Sequence, residues 1–337
     1  MKLDYEQIKS ICTGAVRVEE SEEGICFFRF TKEQEELYRK QKPEFNQKIL
    51  AAAGMRLSFE TDSEVLFMKV QTAQGSSRQY FSFDVSVDGK IVDHLDNFSD
   101  KELPQDYTKC VFEQGVFSKE FALGSGRKKV CIYMPWSASV ILQELSLADA
   151  SYMIPVKPEK KLLVFGDSIT QGYDALRPSN RYVAKLADML QAEELNKAIG
   201  GEKFFPQLAQ TRDDITPDYI TVAYGTNDWS GIEEELFIEN CSAFYEGLSR
   251  NYPHSKIFAI TPIWRKDQKE PRKFGAFEKV EENIRKIVDK YPNIICIRGY
   301  EFVPYEEGYF ADLRLHPNDR GFEHYVRNLY AQIKDML

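Results

Sequence analysis

The hydrophobic pattern of this chain changes period near residue 155, and that switch limits its fold more than any other feature. Upstream, short apolar runs dominate: Gly24–Phe30, Met55–Glu60, Val65–Gln71, Tyr80–Val87, Val116–Phe121, Lys129–Tyr133 and Val140–Leu147. Several alternate residue by residue, as in Phe81-Ser82-Phe83-Asp84-Val85-Ser86-Val87. A period of two puts every second side chain on one face, which predicts strands of sheets buried on one side. Gly75-Ser76-Ser77, Asp88-Gly89 and Gly124-Ser125-Gly126 supply turn chemistry between them. Many short strands without long helices predict an all-β, jelly-roll-like sandwich over residues 1–155, interrupted by a helical patch at Lys32–Lys40.

Downstream, Pro155 and Pro158 mark a linker-like stretch. An apolar run then ends in Gly166-Asp167-Ser168, and Val183, Leu186, Ala187 and Leu190 follow at helical spacing. Strand candidates Tyr219–Tyr224, Lys256–Ile260 and Ile294–Ile297 alternate with helical patterns at Glu233–Asn251, Lys273–Lys290 and Gly321–Leu337. Such alternation predicts a parallel sheet covered by helices on both faces, so residues 160–337 read as an α/β domain. A length of 337 residues accommodates two domains of ordinary size.

Composition removes several functional classes. Hydrophobic residues make up 43% and aromatic residues 13%, which excludes a largely disordered chain. Lys and Arg number 44 against 53 Asp and Glu, and a net charge of −9 argues against a general nucleic-acid binder or a protein docked on anionic lipid. No run approaches the roughly 18 apolar residues of a membrane span, and the first twenty residues have no apolar stretch of signal-peptide length. Six cysteines are scattered singly without a CxxC pair, so reduced, mostly buried thiols are expected rather than a zinc site or a disulfide framework. The expected location is the cytoplasm, with neither nucleic acid nor membrane as partner.

Four segments carry candidate chemistry. In Gly166-Asp167-Ser168-Ile169-Thr170, Ser168 follows a strand and opens a helix, a position that fits either a turn serine or a nucleophile. Asn196-Lys197-Ala198-Ile199-Gly200-Gly201 ends in paired glycines, which suit a flexible turn or close approach of a backbone amide to a ligand. Tyr224-Gly225-Thr226-Asn227-Asp228 follows another strand, and Asn227 is either a cap or a donor to a developing oxyanion. Among only four histidines, His316 alone is pinned by a following proline and preceded by a nearby carboxylate, Asp312. Histidine is the side chain suited to accept a serine proton near neutral pH.

Taken in this order, the four blocks resemble the SGNH (GDSL-type) hydrolase family over about residues 160–337. The resemblance implies a flavodoxin-like α/β/α domain that performs acyl transfer without metal or organic cofactor. It implies Ser168 as nucleophile and His316 as general base. The oxyanion hole it implies uses the amides of Ser168 and Gly201 with the Asn227 side chain; Gly201 rather than Gly200 stands five residues after Asn196, as in the family. One departure matters: the family's acid stands three residues before the histidine, where this chain has Leu313, and Asp312 stands four before. Either a one-residue bulge aims Asp312 at the imidazole, or a backbone carbonyl orients the ring and the site is a Ser–His dyad. Trp229 and Trp264 fall where loops should meet the site and are candidate sugar-stacking residues, whereas Trp136 reads as core or interface.

A β-sandwich placed before such a domain is similar to carbohydrate esterase family two. That arrangement implies a serine esterase removing O-acetyl groups from oligosaccharides. Alternatives are a lysophospholipase or thioesterase, which needs an apolar acyl groove, and a carbohydrate-binding protein on an inactive hydrolase scaffold. The role of the sandwich and a homo-oligomeric state stay open at this level.

Overall fold

The computed structural model describes residues 1–337. Two antiparallel sheets occupy the N-terminal half. The first runs in the order Cys12–Thr13, Arg56–Thr61, Lys128–Tyr133, Ser82–Val87 and Lys90–Asp96, with Ile154–Pro155 also pairing along Arg56–Thr61. The second runs Arg17–Ser21, Gly24–Phe28, Ala138–Leu147, Val65–Gln74 and Gly115–Ala122. Leu57, Phe59, Phe83, Val85, Val130 and Ile132 of the first meet Leu66, Met68, Val70, Val140 and Leu142 of the second in one core. The helix expected near Lys32–Lys40 forms at Lys32–Gln41, started by a Thr31 capping box with Gln34.

The strand Ser82–Val87 departs from the half-exposed reading: it is buried on both faces except at its last residue. Phe83 and Val85 enter the sandwich core, while Asp84 accepts from the Ser179 amide at 3.0 Å and its hydroxyl at 2.6 Å. Arg177 donates to Ser82 Oγ at 2.9 Å and to Asp96 at 2.5 Å. The polar face of this sheet is therefore an internal docking surface, not a solvated one.

The C-terminal half holds five parallel strands, here β1 (Lys160–Gly166), β2 (Ala192–Asn196), β3 (Tyr219–Ala223), β4 (Lys256–Ile260) and β5 (Ile294–Ile297). Their spatial order is β2-β1-β3-β4-β5, the flavodoxin-like doubly wound arrangement. Leu162 and Val164 of β1 face helices Tyr182–Leu190 and Asp319–Ile333, while Leu163 and Phe165 face Glu234–Asn251 and Glu278–Val288. No helix is long and apolar enough to cross a membrane.

The core between β1 and helix Glu234–Asn251 also includes Phe30, Tyr38, Phe45 and Ile49, so residues 30–50 pack with the parallel sheet although the sandwich surrounds them in sequence. Arg29, 1% exposed, ties this segment down: it donates to the carbonyls of Ala51 (2.7 Å), Asn196 (3.0 Å), Ala198 (2.9 Å) and Lys48 (3.1 Å). Burial pushes its guanidinium down to about 10, still charged at neutral pH. Beside it, fully buried Lys197 donates to the Arg29 carbonyl, Gln34 Oε1 and Asp213 Oδ1, which uses all three of its protons.

Replacing Arg29 with Met strands the buried carbonyls of Ala51, Asn196 and Ala198, each worth about 1–3 kcal/mol if unsatisfied, and leaves that of Lys48 with the Ala51 amide alone. Partial hydration offsets some of that, so Arg29→Met is expected to lower unfolding free energy by at least about 3 kcal/mol in urea titrations. A loss below about 1 kcal/mol would mean that apolar packing alone holds the segment.

Candidate active site

Ser168 stands at the carboxyl end of β1, where open α/β sheets gather ligands. The turn needs Gly166, because a Cβ there would lie 2.3 Å from Thr170 Oγ1 and 3.0 Å from the Ala223 carbonyl. Asp167 caps the following short helix, accepting from the Ile169 amide at 3.0 Å. The Ser168 side chain is thereby turned toward the loop that precedes helix Asp319–Ile333. Ser168 Oγ lies 2.8 Å from His316 Nε2, across 148 residues of sequence.

His316 Nδ1 lies 2.7 Å from Asp312 Oδ2. The other carboxylate oxygen, Oδ1, accepts from the amides of Arg314 (3.0 Å), Leu315 (2.7 Å) and His316 (3.0 Å). Leu313 takes the left-handed conformation, φ +57°, and so absorbs the extra residue between acid and histidine. Burial resists ionisation of Asp312, but the bond to His316, its charge, and the Leu315 and His316 amides outweigh it and hold the carboxyl well below the ordinary range. An ionised carboxylate only accepts, so Nδ1 carries the ring proton and the Nε2 lone pair faces Ser168. A bridge between Phe310 and Pro317 and the bond from the Ala311 amide to the His316 carbonyl (2.9 Å) brace the loop.

Three donors gather at the same end of the sheet. The Ser168 and Gly201 amides donate to no protein acceptor. Asn227 Nδ2 gives one hydrogen to the Glu202 carbonyl at 3.0 Å and keeps the other. Gly201 has φ +91°, a conformation open to glycine at little cost. At Gly200 the restriction is steric: a Cβ would meet Tyr173 Cζ at 2.4 Å. The structure thus brings Ser168, His316, Asp312, Gly201 and Asn227 to one end of the parallel sheet.

The tryptophans divide differently. Trp229 is 0% exposed, donates to the Gly275 carbonyl at 2.9 Å, and lies under the guanidinium groups of Arg265 and Arg272. Its faces are covered by protein, which corrects the expectation that it stacks on substrate: the residue after the asparagine block falls on the inner side of helix Thr226–Gly231. Trp264 is half-buried, stacked on Tyr305 at 5.8 Å and leaning on Phe310, whose bridge to Pro317 supports the His316 loop. Trp136, from the sandwich, packs on Tyr173 at 4.9 Å and donates to the Ala175 carbonyl at 2.8 Å, an interface position.

Sequence reading missed two polar groups. Asp174, left-handed at φ +73°, places Oδ2 3.5 Å from His316 Nδ1. It accepts from Arg78 at 2.6 and 2.9 Å and from the Tyr80 hydroxyl at 2.7 Å, all contacts from the sandwich. Asp174, Asp312 and His316 offer three ligand atoms within 4.8 Å of one another, but Arg78 already supplies the positive charge facing Asp174. Lys48 is the second: its ammonium donates to the Gly200 carbonyl at 2.6 Å. Neither lies in a motif, and both act across the domain boundary, where no periodicity or spacing marks a contact.

Glu202, next to Gly201, is fully buried. Burial pushes its carboxyl up to about 7, against the pull of Lys42 and the hydroxyls of Tyr38 and Tyr224. Burial likewise raises Asp228 to about 7 and Asp167 to about 6.

Residues 164–324 match the GDSL-like lipase/acylhydrolase family. No curated protein sequence matches the chain. Among solved structures, the chain is similar to a protein described as a GDSL-like lipase from Bacteroides ovatus, at 18% identity and TM-score 0.77, covering 100% of this chain and 97% of that one. It is similar to a salicylyl-acyltransferase from a tetracycline biosynthetic pathway, at 18% identity and TM-score 0.76, covering 96% and 94%. It is also similar to a family two carbohydrate esterase from Clostridium thermocellum, at 15% identity and TM-score 0.65, covering 85% and 94%. At these identities the likeness is one of fold: a parallel-sheet α/β domain behind an antiparallel sandwich.

Because Glu202 is raised from 4.5 to about 7, the folded state holds its proton more tightly than the unfolded state across that interval. The stability it contributes is fully present below the unfolded value and lost as pH rises through about 7. The urea midpoint is therefore expected to fall from pH 5 to pH 8, and Glu202→Gln to flatten that fall by roughly 1–3 kcal/mol. Parallel pH profiles for the two proteins would refute the assignment.

Proposed function

We propose that this chain, whose residues 164–324 match the GDSL-like lipase/acylhydrolase family, is a carboxylic ester hydrolase of the SGNH type that removes O-acetyl groups from oligosaccharides through an acyl-enzyme. The observation that carries this reading is the continuous relay from Asp312 through His316 to Ser168, 2.7 and 2.8 Å, beside amides that donate to nothing else in the protein.

In the proposed reaction His316 Nε2 takes the Ser168 proton as Oγ bonds to the acetyl carbon. The carbonyl oxygen becomes an oxyanion and accepts from Ser168 N–H, Gly201 N–H and Asn227 Nδ2–H. Those bonds strengthen only as charge develops, so they lower the barrier rather than merely bind the ester. Asp312 holds the imidazolium in place. The tetrahedral state collapses by breaking the bond to the sugar oxygen, which leaves with the proton from His316. Water then gives its proton to His316 and attacks the acetyl carbon, which releases acetate and restores Ser168.

Two features support a short acyl group and a polar leaving group. Tyr173 closes against Gly200, where a Cβ would lie 2.4 Å from its Cζ, so space on that side of the hole is limited. A hollow of about 680 Å³ borders Asp312, and the charged ends of Lys266, Asp267, Lys269, Glu270 and Arg314 on its lining offer partners for hydroxyls. A second reading has a specific basis: one fold neighbour is a salicylyl-acyltransferase, and the same acyl-enzyme resolved by an alcohol in place of water would make this chain a transferase.

The expected outcome is release of free acetate from acetylated oligosaccharides in water alone, with 4-nitrophenyl acetate turned over at least about tenfold faster than the decanoate ester. Long-chain preference would favour a lysophospholipase or thioesterase, and acetate appearing only on an added acceptor would favour the transferase. Ser168→Ala is expected to abolish turnover with the urea midpoint unchanged. Asp312→Asn keeps the loop's amide acceptor but turns an NH2 toward Nδ1, which forces the ring proton onto Nε2. A kcat loss of at least about 10²-fold is expected, and a loss under tenfold would favour a dyad.

A further inference from the structure

We infer that Lys48, supplied by the N-terminal half, is a positioning residue of the oxyanion hole: it locks the Gly200–Gly201 peptide with its N–H turned toward the reacting carbonyl. The inference rests on the ester hydrolase reading above and concerns how that site is held ready.

A peptide unit is planar, with its C=O and N–H pointing in opposite directions. The Gly200 carbonyl and the Gly201 amide belong to one such unit. Whatever fixes the carbonyl therefore fixes the amide. Two successive glycines leave this peptide free to rotate, because neither side chain restrains the flanking dihedrals. A flipped peptide would present a carbonyl oxygen to the developing oxyanion and repel it.

The protein restrains this peptide from several directions. The Gly200 amide donates to Gln171 Oε1 at 2.8 Å, and Gln171 is itself held by the Trp136 carbonyl at 2.9 Å. The Glu202 amide beyond it donates to the Ile199 carbonyl at 3.0 Å. The Gly200 carbonyl receives the Lys48 ammonium at 2.6 Å, a charge-assisted bond. Lys48 forms no ion pair with a carboxylate, so its charge is directed at this carbonyl and at the rim of the hole. A positive charge on the carbonyl oxygen also draws electrons from the amide nitrogen, which makes the Gly201 N–H a stronger donor.

Lys48 is itself held in reach. Arg29 donates to the Lys48 carbonyl at 3.1 Å while also gripping the carbonyls of Asn196 and Ala198, which lead into Gly200. The same guanidinium thus spans the main chain of the lysine and the loop on which it acts. The Lys48 amine lies 5.1 Å from the centre of the Phe45 ring, which shields one side of the contact from water.

Lys48→Met keeps the stem and removes the charge. With 4-nitrophenyl acetate, a neutral ester, it is expected to lower kcat by about ten- to a hundredfold, less than the 10²–10³ of losing a donor outright, because the amide remains. KM is expected to stay within about twofold, with Lys48→Arg recovering part of the loss. The second readout needs no turnover: the Gly201 amide 15N resonance, sensitive to polarisation of the preceding carbonyl, is expected to move in Lys48→Met. If wild type cleaves the ester and Lys48→Met matches its kcat, the inference falls and the esterase reading stands. A raised KM with kcat intact would assign Lys48 to substrate binding and overturn the positioning role. If wild type cleaves no ester, that reading falls and the oxyanion role of Lys48 with it; an unmoved Gly201 resonance then overturns the hold on the peptide as well, and a shifted one sustains that hold alone.

Discussion

Arg29 is a full charge taken out of water at the seam between the two halves of the chain, and it is tolerated because its donors reach four carbonyls. Two of those carbonyls, Lys48 and Ala51, belong to the segment that follows the helix Lys32–Gln41; the other two, Asn196 and Ala198, belong to the exit of β2. Either group alone would leave the guanidinium partly unpartnered. The docking of residues 30–50 on the parallel sheet and the shape of the loop leading to Gly201 are therefore one event. Lys197 repeats the arrangement beside it, with partners from both halves.

This dependence extends to both ends of the reacting group. On the oxyanion side, Gly201 is flanked by Lys48 and Phe45. On the base side, His316 faces Asp312 at 2.7 Å and Asp174 at 3.5 Å. Two carboxylates thus lie near one ring nitrogen, and Asp174 already has a cationic partner of its own. Arg78 makes a two-pronged bond to Asp174, assisted by the Tyr80 hydroxyl, and Asp312 is the nearer carboxylate to the ring. The sandwich thus sets the electrostatic balance around a histidine that lies on the other domain.

The sequence revealed what is built from periodicity and ordered motifs. β3 and β4 are legible because strands buried on both faces read as nearly continuous apolar runs such as Ile257-Phe258-Ala259-Ile260. The serine, glycine and asparagine blocks are legible because each follows a strand, and the histidine block because it comes last in the order, just before the final long helix. Polar edge strands such as Arg17–Ser21 and Lys90–Asp96 escaped, since an exposed edge needs no apolar face. The Asp312 geometry stayed an alternative because nothing in Leu313 announces a positive φ, a conformation unusual for a branched apolar residue. Trp229 was misplaced because the side of a six-residue helix that faces inward cannot be read from so short a pattern. The docking role of Ser82–Val87 was invisible for a related reason: polar residues alternate with apolar ones whether the polar face meets water or another domain.

An acyl-transfer scaffold of this kind has its donors and base on loops at one end of a sheet, and loops move unless something holds them. Short loops can be stiffened from within, as the Asp312 carboxylate stiffens its own loop by accepting three amides. Gly200-Gly201 cannot be treated that way, because the freedom that lets the amide face substrate is the freedom that lets the peptide rotate. Its restraint has to come from outside, and here it comes from a lysine on a turn that the sandwich domain brings in. On the proposed reading the N-terminal half would belong to the catalytic apparatus whether or not it binds a sugar, since removing it would take away Lys48, Phe45 and Arg78 together. The expected consequence for evolution of this scaffold is that acyl-group selectivity and turnover respond to substitutions around residues 45–48 as strongly as to changes in the loops of the parallel sheet itself.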